Sequence, residues 1–265
     1  MNGKSMTSDE RLFQYLLRLG DSPLILAQRL GAWVGKGPIL EEDIAQTNVG
    51  LDLLGQARLW LAYAGDVETR IAGKGRTEDE LAFLRDGETF RNLLLVEQPN
   101  GNFGDTIARQ FLFDAWHRLL LGALTQSTDE RIAAIAAKSA KEVAYHVERS
   151  GDWLIRLGDG TDESHAKMQA AIDALWPYTG EMFAPDALER GLIDAGVAAD
   201  ARALEAPWHE QVGGVLAEAT LTMPQNVWMH GVSGKGSRQG THTEHLGYLL
   251  AEMQFLQRAY PGAQW

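Results

Sequence analysis

Carboxylate and imidazole side chains occur at one-turn spacing inside segments that have the apolar periodicity of helices. Glu142 and His146 are four residues apart, which places them on one side of a helix. Asp114 and His117 form a second such pair. A carboxylate and an imidazole in a helical core are costly unless they are paired or bound to a metal. The chemistry that this pattern suggests is a carboxylate-bridged di-metal centre, which uses two inward Glu and two Glu-x-x-His motifs in a bundle.

The number of anionic ligands argues against two metal ions. The other polar groups inside the long helical segments are Gln28, Asp52 and Gln56, of which only Asp52 is charged. A di-iron centre uses about four carboxylates and two histidines from four helices. The alternative is a network of core polar groups that hydrogen-bond to one another. The spacing alone favours this network, because carboxylate–histidine pairs on helices are common.

The elements that must position these side chains are helices. Apolar periodicity and capping residues predict helices over 8–20, 22–35, 41–65, 77–86, 105–125, 127–158, 161–177, 186–195, 201–221 and 241–260. The run Asp21-Ser22-Pro23 is expected to end the first helix and start the second. Capping boxes are expected at Thr77/Glu80, Ser127/Glu130 and Thr241/Glu244. No alternating apolar run is flanked by hairpin turns. The sequence therefore predicts one all-α domain over 1–265, with four long core helices and C-terminal helices packed around them.

Composition narrows the possible functions. The 265 residues include no Cys, which excludes disulfides, thiolate catalysis, iron–sulfur clusters and Cys-type zinc sites. A formal net charge of -12 argues against nucleic acid or an anionic membrane as partner. The N-terminus has no signal-peptide pattern, and no apolar run approaches the ~20 residues that span a bilayer. We expect a soluble cytoplasmic protein.

Four long runs carry the most specific signal: LDLLGQARLWLAYAG (51–65), FGDTIARQFLFDAW (103–116), EVAYHVERSGDWLIRLGDGTDESHAKMQAAIDALWPYTGEMF (142–183) and GTHTEHLGYLLAEMQFLQRAYPGAQW (240–265). Together they resemble the family of C subunits of phenylacetyl-CoA 1,2-epoxidases, ring-epoxidising multicomponent monooxygenases of aerobic phenylacetate degradation. The resemblance implies a ferritin-like four-helix bundle with additional C-terminal helices. It also implies a homologous catalytic A subunit that carries the di-iron centre and binds the CoA thioester, a small B subunit and a flavin/iron–sulfur reductase. This chain would then be a structural partner without a cofactor of its own, in a heteromer with possible homodimeric contacts.

The ligand pattern of the catalytic sister subunit falls on six positions of this sequence: Gln28, Leu53, Gln56, Asp114, Val143 and His146. Only Asp114 and His146 keep a ligand-type side chain. Leu53 and Val143 stand at the two bridging-Glu positions and offer no oxygen. Glu142 is one residue out of register, which turns it ~100° from the ligand direction. The resemblance therefore implies a degenerate di-iron site, which holds no metal in this chain.

The alternative hypothesis is an autonomous di-iron oxidase or oxygenase. Its ligands would be Asp52, Asp114, His117, Glu142 and His146.

Two further features have a possible role and a simpler interpretation. The glycine-rich stretch 230–240, with Lys235 and Arg238, could bind a phosphate group such as that of CoA, although it matches neither the P-loop nor the dinucleotide motif. A surface loop is the simpler interpretation. His242 and His245 are close enough to bind a metal together, but they lie at a helix start, where capping is sufficient explanation.

Overall fold

The computed structural model describes residues 6–225 and 236–263, and every regular element in these ranges is helical. The α-helices are α1 (Ser8–Gly31), α2 (Leu40–Ala72), α3 (Glu78–Phe83), α4 (Leu94–Glu97), α5 (Phe103–Leu124), α6 (Glu130–Gly158), α7 (Asp162–Leu175), α8 (Ala187–Asp194), α9 (Glu205–Glu218), α10 (Glu244–Met253) and α11 (Phe255–Ala259). Short 3-10 turns lie at Gly87–Thr89, Trp176–Tyr178, Gly180–Phe183, Ala201–Leu204 and Ser237–Gln239. The all-α prediction is confirmed. None of the helices in the described ranges combines the length and apolar character that a bilayer crossing requires.

The chain divides into two compact units. Unit 1 comprises Met1–Ala32, Gly50–Glu97 and Gly231–Trp265, and unit 2 comprises Trp33–Val49 and Gln98–His230. The prediction of a single domain over 1–265 stays a prediction beside this division.

In unit 1, α1 lies against the second half of α2 at a close approach. A Cβ on Gly20 would lie 2.9 Å from the Leu61 Cδ2 atom, so only glycine fits here without a shift. The same stretch of α1 holds Asp21, which is fully buried and pairs with the buried guanidinium of Arg85. The Asp21 Oδ2 atom also accepts from the backbone N–H of Arg91 at 2.8 Å. One buried carboxylate thus fastens the 85–91 segment to α1.

The prediction that α1 stops at Asp21-Ser22-Pro23 is wrong, because α1 continues through Pro23 to Gly31. Proline inside a helix removes one backbone hydrogen bond. Here the polar groups that would have capped a new helix bind the following segment instead. The Ser22 Oγ atom accepts from the backbone N–H of Leu93 at 3.1 Å, and the next three residues of α1 are buried. We infer that burial and these tertiary hydrogen bonds outweigh the missing one.

In unit 2, α5 and α6 form the main helix pair, and α7 and α9 pack on it. α6 has a strongly amphipathic pattern, and its buried face includes Ile132, Val143 and Leu154. The fully buried Trp208 of α9 donates from Nε1 to the Leu112 carbonyl of α5 at 3.1 Å, which ties these two helices together.

Two of the expected helix caps are wrong. α6 begins after Asp129, whose side chain accepts from the backbone N–H groups of Arg131 and Ile132, so Ser127 is not its cap. The Ser127 hydroxyl donates instead to the Val197 carbonyl at 2.7 Å. α10 begins after Thr243 rather than Thr241. At the start of α10 the Thr243 side chain makes no capping hydrogen bond, because its hydroxyl donates to Glu97.

Candidate metal centre

The carboxylate of Asp114 is the centre of a buried hydrogen-bonded group between α5 and α6. The Gln110 Nε2 atom donates to Asp114 Oδ1 at 2.7 Å, and the Ser150 Oγ atom lies 2.9 Å from Asp114 Oδ2. The Ser150 hydroxyl also lies 2.8 Å from the backbone carbonyl of His146. Both Asp114 oxygens therefore have a protein partner in unit 2.

Burial has a large effect on this carboxyl. Complete removal from water raises the pKa of Asp114 to about 6, because the charged form loses its hydration. The nearby charge of His146 and the hydrogen bonds from Ser150 and Gln110 act in the opposite direction. The protonated form of Asp114 therefore persists to a higher pH than that of an exposed aspartate.

His117, one turn along α5, is kept neutral. Burial, together with the positive charge of His146, lowers the pKa of His117 to about 3. Its ring lies 4.9 Å from the ring of Phe113, and its Nδ1 atom has no hydrogen-bond partner within the described part of the chain. Both members of the predicted pair Asp114/His117 are thus buried in unit 2.

On α6 the register agrees with the prediction from the resemblance. Val143 and His146 are buried, whereas Glu142 is only half-buried. The structure thus brings His146 to Asp114 and His117, with which it interacts electrostatically, and turns Val143 rather than Glu142 inward.

The predicted ligand positions in unit 1 differ in how deeply they are buried. Leu53 and Gln56 of α2 are buried, while Gln28 of α1 and Asp52 of α2 are half-buried. Gln28 and Asp52 thus lie at the edge of the buried faces of their helices, as Glu142 does on α6. The helix rotates each of them part of a turn toward solvent, so their neighbours occupy the buried face.

The residues present do not fit a di-iron centre. Within 6–225 and 236–263, no group of three or more His, Asp and Glu side chains could hold a metal ion. The two positions that would supply bridging oxygens carry fully buried hydrocarbon, Leu53 and Val143. Asp114 already has a hydrogen-bond partner on each oxygen. That these positions hold no metal in the protein stays a prediction.

The sequence did not identify the two residues that engage Asp114. Gln110 precedes Asp114 by four residues, the spacing at which Gln and Asp hydrogen-bond along a helix, so this partner was detectable. Ser150 follows His146 by four residues on the buried face, but only the packing of α6 on α5 shows which group its hydroxyl meets.

The glycine-rich stretch is partly described. Lys235 lies outside the described residues, whereas Ser237 and Arg238 are buried, so the interpretation as an exposed surface loop is wrong for these two. His242 is engaged through both ring nitrogens, by a carboxylate oxygen of the buried Glu97 and by the Phe90 carbonyl. Neither nitrogen is left to share a metal with His245.

Comparison with known proteins agrees with the helical architecture. A model of the family described as Phenylacetic acid catabolic protein matches residues 2–265. The C subunit of the 1,2-phenylacetyl-CoA epoxidase of Escherichia coli (strain K12) is 53% identical over 255 residues, which are 96% of this chain and 99% of the E. coli protein. The all-α, ferritin-like bundle class with additional C-terminal helices is thereby confirmed. This chain belongs to the Phenylacetic acid catabolic protein family.

Proposed function

We propose that this chain is the C-type subunit of a phenylacetyl-CoA epoxidase complex in aerobic phenylacetate degradation, and that it is a structural subunit rather than a catalytic one. In this proposal it pairs with a homologous A subunit that carries the di-iron centre, alongside a small B subunit and a reductase. The observation that carries membership of the complex is the similarity to the E. coli epoxidase protein over nearly the full length of both chains.

The non-catalytic role is supported by the chemistry of the candidate site. Hydrocarbon side chains fill the bridging positions at Leu53 and Val143. Di-iron carboxylate centres need oxygen ligands at such positions to balance the metal charge. The remaining Asp114 is satisfied by Gln110 and Ser150. A bundle with this core can hold its fold and support a neighbour through an interface without activating dioxygen.

The first test measures the metal directly. The chain is produced alone in iron-supplemented cells, purified without chelators, and analysed for metal content. We expect negligible iron per chain. A content near two irons per chain, with oxygen consumption in the presence of a reductant, would instead support the autonomous oxidase that uses Asp52, Asp114, His117, Glu142 and His146.

The second test separates structural support from catalysis. The complex is reconstituted with and without this chain, and then with His146→Gln or Asp114→Asn. We expect epoxidation to require the chain, and each variant complex to turn over within about twofold of the wild type, because neither residue touches the reacting atoms in this proposal. Asp194→Asn, at an exposed position, is the matched control. Loss of turnover in a folded and fully assembled His146→Gln complex would contradict the structural role.

A further inference from the structure

A buried carboxylate in unit 1 holds the segment that follows the glycine-rich stretch. Glu97, the last residue of α4, is fully buried. Its Oε2 atom accepts from the backbone N–H of Thr243 at 2.9 Å and from the Thr243 hydroxyl at 2.6 Å. Its Oε1 atom accepts from Asn92 Nδ2 at 2.9 Å and contacts His242 Nδ1. Two successive residues of the 236–243 segment thus converge on one carboxylate.

The 236–243 segment, which we call the strap, lies tightly against the rest of unit 1. Gly240 has a φ of +81°, and a Cβ there would lie 2.0 Å from the Glu88 carbonyl oxygen. Within the strap, the backbone N–H of Gln239 donates to the Gly236 carbonyl and that of Gly240 donates to the Ser237 carbonyl. The strap is therefore compact, and His242 and Thr243 attach it to Glu97 of α4.

The hydrogen bonds of His242 depend on one particular proton. The Nε2 atom lies 3.1 Å from the Phe90 carbonyl oxygen, which can only accept, so Nε2 carries a hydrogen. The Nδ1 atom faces the Glu97 carboxylate, which can meet it only if one further proton lies between the two atoms. Without that proton, a lone pair of the imidazole would face a buried carboxylate.

We propose that His242 and Glu97 form a proton-dependent latch that fastens the strap to unit 1. The latch is closed while the pair holds its shared proton and opens when that proton is lost. Because the closed strap binds one proton more than the open strap, raising the pH favours opening. Over the pH range in which the open strap has lost this proton and the closed strap still holds it, the opening equilibrium rises about tenfold per pH unit.

Other charged groups near the pair do not supply this dependence. On α1, the Arg29 guanidinium donates to the backbone carbonyls of Glu97 and His245. Next to Phe90, the Arg91 guanidinium donates to the same carbonyl that His242 Nε2 meets. Both arginines keep their charge over the relevant range. His245, at the start of α10, is the second imidazole nearby and needs its own control, as does Glu244 beside it.

The test is hydrogen exchange of the strap in the full chain, measured between pH 6 and pH 9 and corrected for the intrinsic exchange rate at each pH. Peptide 236–243 reports directly on the latch, because the Thr243 N–H is itself bonded to Glu97. We expect its protection to fall by up to about tenfold per pH unit at the alkaline end. A peptide from the α5–α6 core, such as 135–150, is expected to change much less. Protection of the strap that stays constant over the whole range would overturn the proposal.

Variants separate the proton from the contacts. Glu97→Gln lets an amide N–H donate to the neutral imidazole while the amide oxygen still accepts from Thr243, but it gives up the hydrogen bond from Asn92. We therefore expect protection to fall by the same factor at every pH and the pH dependence to disappear. His242→Gln also removes the pH dependence. Thr243→Val removes one hydrogen bond of about 1 kcal/mol, which lowers protection about fivefold at every pH and keeps the slope. His245→Gln and Glu244→Gln keep the wild-type slope. The proposal fails if Glu97→Gln and His242→Gln both retain that slope.

Discussion

Asp114 and His117 are expected to make opposing contributions to the pH dependence of stability. The pKa of Asp114 is raised from 3.8 to about 6 in the folded chain, so the unfolded chain ionises first and stability falls as the pH rises through this window. The pKa of His117 is lowered from 6.5 to about 3, so the unfolded chain takes up a proton first and stability falls as the pH drops below 6.5. Between about pH 4 and pH 6 the two slopes have opposite signs.

The magnitudes follow from the size of each shift. Over its whole pH window, the raised pKa of Asp114 changes the free energy of unfolding by about 3 kcal/mol and the lowered pKa of His117 changes it by about 5 kcal/mol, at 1.36 kcal/mol per pKa unit. In the shared window each slope is about 1.4 kcal/mol per pH unit, so the two nearly cancel in the wild type. A substitution that removes either group leaves the pH dependence of unfolding free energy that the other group causes. From pH 4.5 to pH 6, Asp114→Asn should gain about 2 kcal/mol of unfolding free energy relative to the wild type, and His117→Gln should lose about 2 kcal/mol.

Urea unfolding at pH 4.5, 5, 5.5, 6 and 7.5, followed by circular dichroism, measures these profiles. The comparison uses slopes rather than absolute values, because His117→Gln also changes packing against Phe113. Asp194→Asn, an exposed carboxylate, is the control and should run parallel to the wild type. Profiles of Asp114→Asn and His117→Gln that also run parallel to the wild type would refute the assignment of opposing linkage to this buried pair.

Three structural predictions test the packing. Thr220, just after α9, has a φ of 60°, a left-handed conformation that favours glycine. Thr220→Gly should therefore raise the free energy of unfolding in urea titrations by about 1 kcal/mol, and a decrease would show that the hydroxyl contacts outweigh the backbone strain. Gly158→Ala would place a Cβ 2.5 Å from a backbone oxygen and should lower the free energy of unfolding by about 2 kcal/mol. The control Gly122→Ala meets nothing within 4 Å and should raise the free energy of unfolding by about 0.5 kcal/mol, so equal effects of the two variants would contradict the close approach at Gly158. Asp21→Ala and Arg85→Ala should each lower the free energy of unfolding by about 3–5 kcal/mol, because each leaves one buried charge without its partner. In thermal unfolding, the double variant Asp21→Leu/Arg85→Met should recover most of this loss, and a double variant whose losses simply add would argue against the pair.

Much of the helical architecture was predictable because it depends on local periodicity. α6 and α5 lie close to the predicted 127–158 and 105–125, since their apolar spacing and flanking polar residues act within a few turns of chain. The predicted capping box at Thr77 and Glu80 is confirmed, with both reciprocal hydrogen bonds present. The predicted helix break at Asp21-Ser22-Pro23 was wrong because residues 64–71 positions later bind the capping groups, and local sequence rules do not include such distant partners.

In the candidate site too, local spacing was predictable from the sequence, whereas the contacts between helices were not. Spacing alone paired Asp114 with His117 and Glu142 with His146, and the resemblance indicated that Val143 and His146 rather than Glu142 point inward. That His146 lies near Asp114 is shown only by the structure. The role of Ser150 needed the packing of α6 on α5, because its hydroxyl meets a carboxylate 36 residues away in sequence. The contacts of Glu97 were not detectable from the sequence, since the preceding residues 89–96 fit a helix and an extended segment equally well.

The sequence by itself determined the helical class, the main helices, the family resemblance and the hydrocarbon side chains of Leu53 and Val143, because each of these depends on residue identity and short-range periodicity. Only the tertiary structure decided which polar groups meet. Buried partners such as Asp21 with Arg85, or Glu97 with His242, are about 64 and 145 residues apart, and their pairing follows from the burial of a carboxylate that must find a donor wherever the fold provides one.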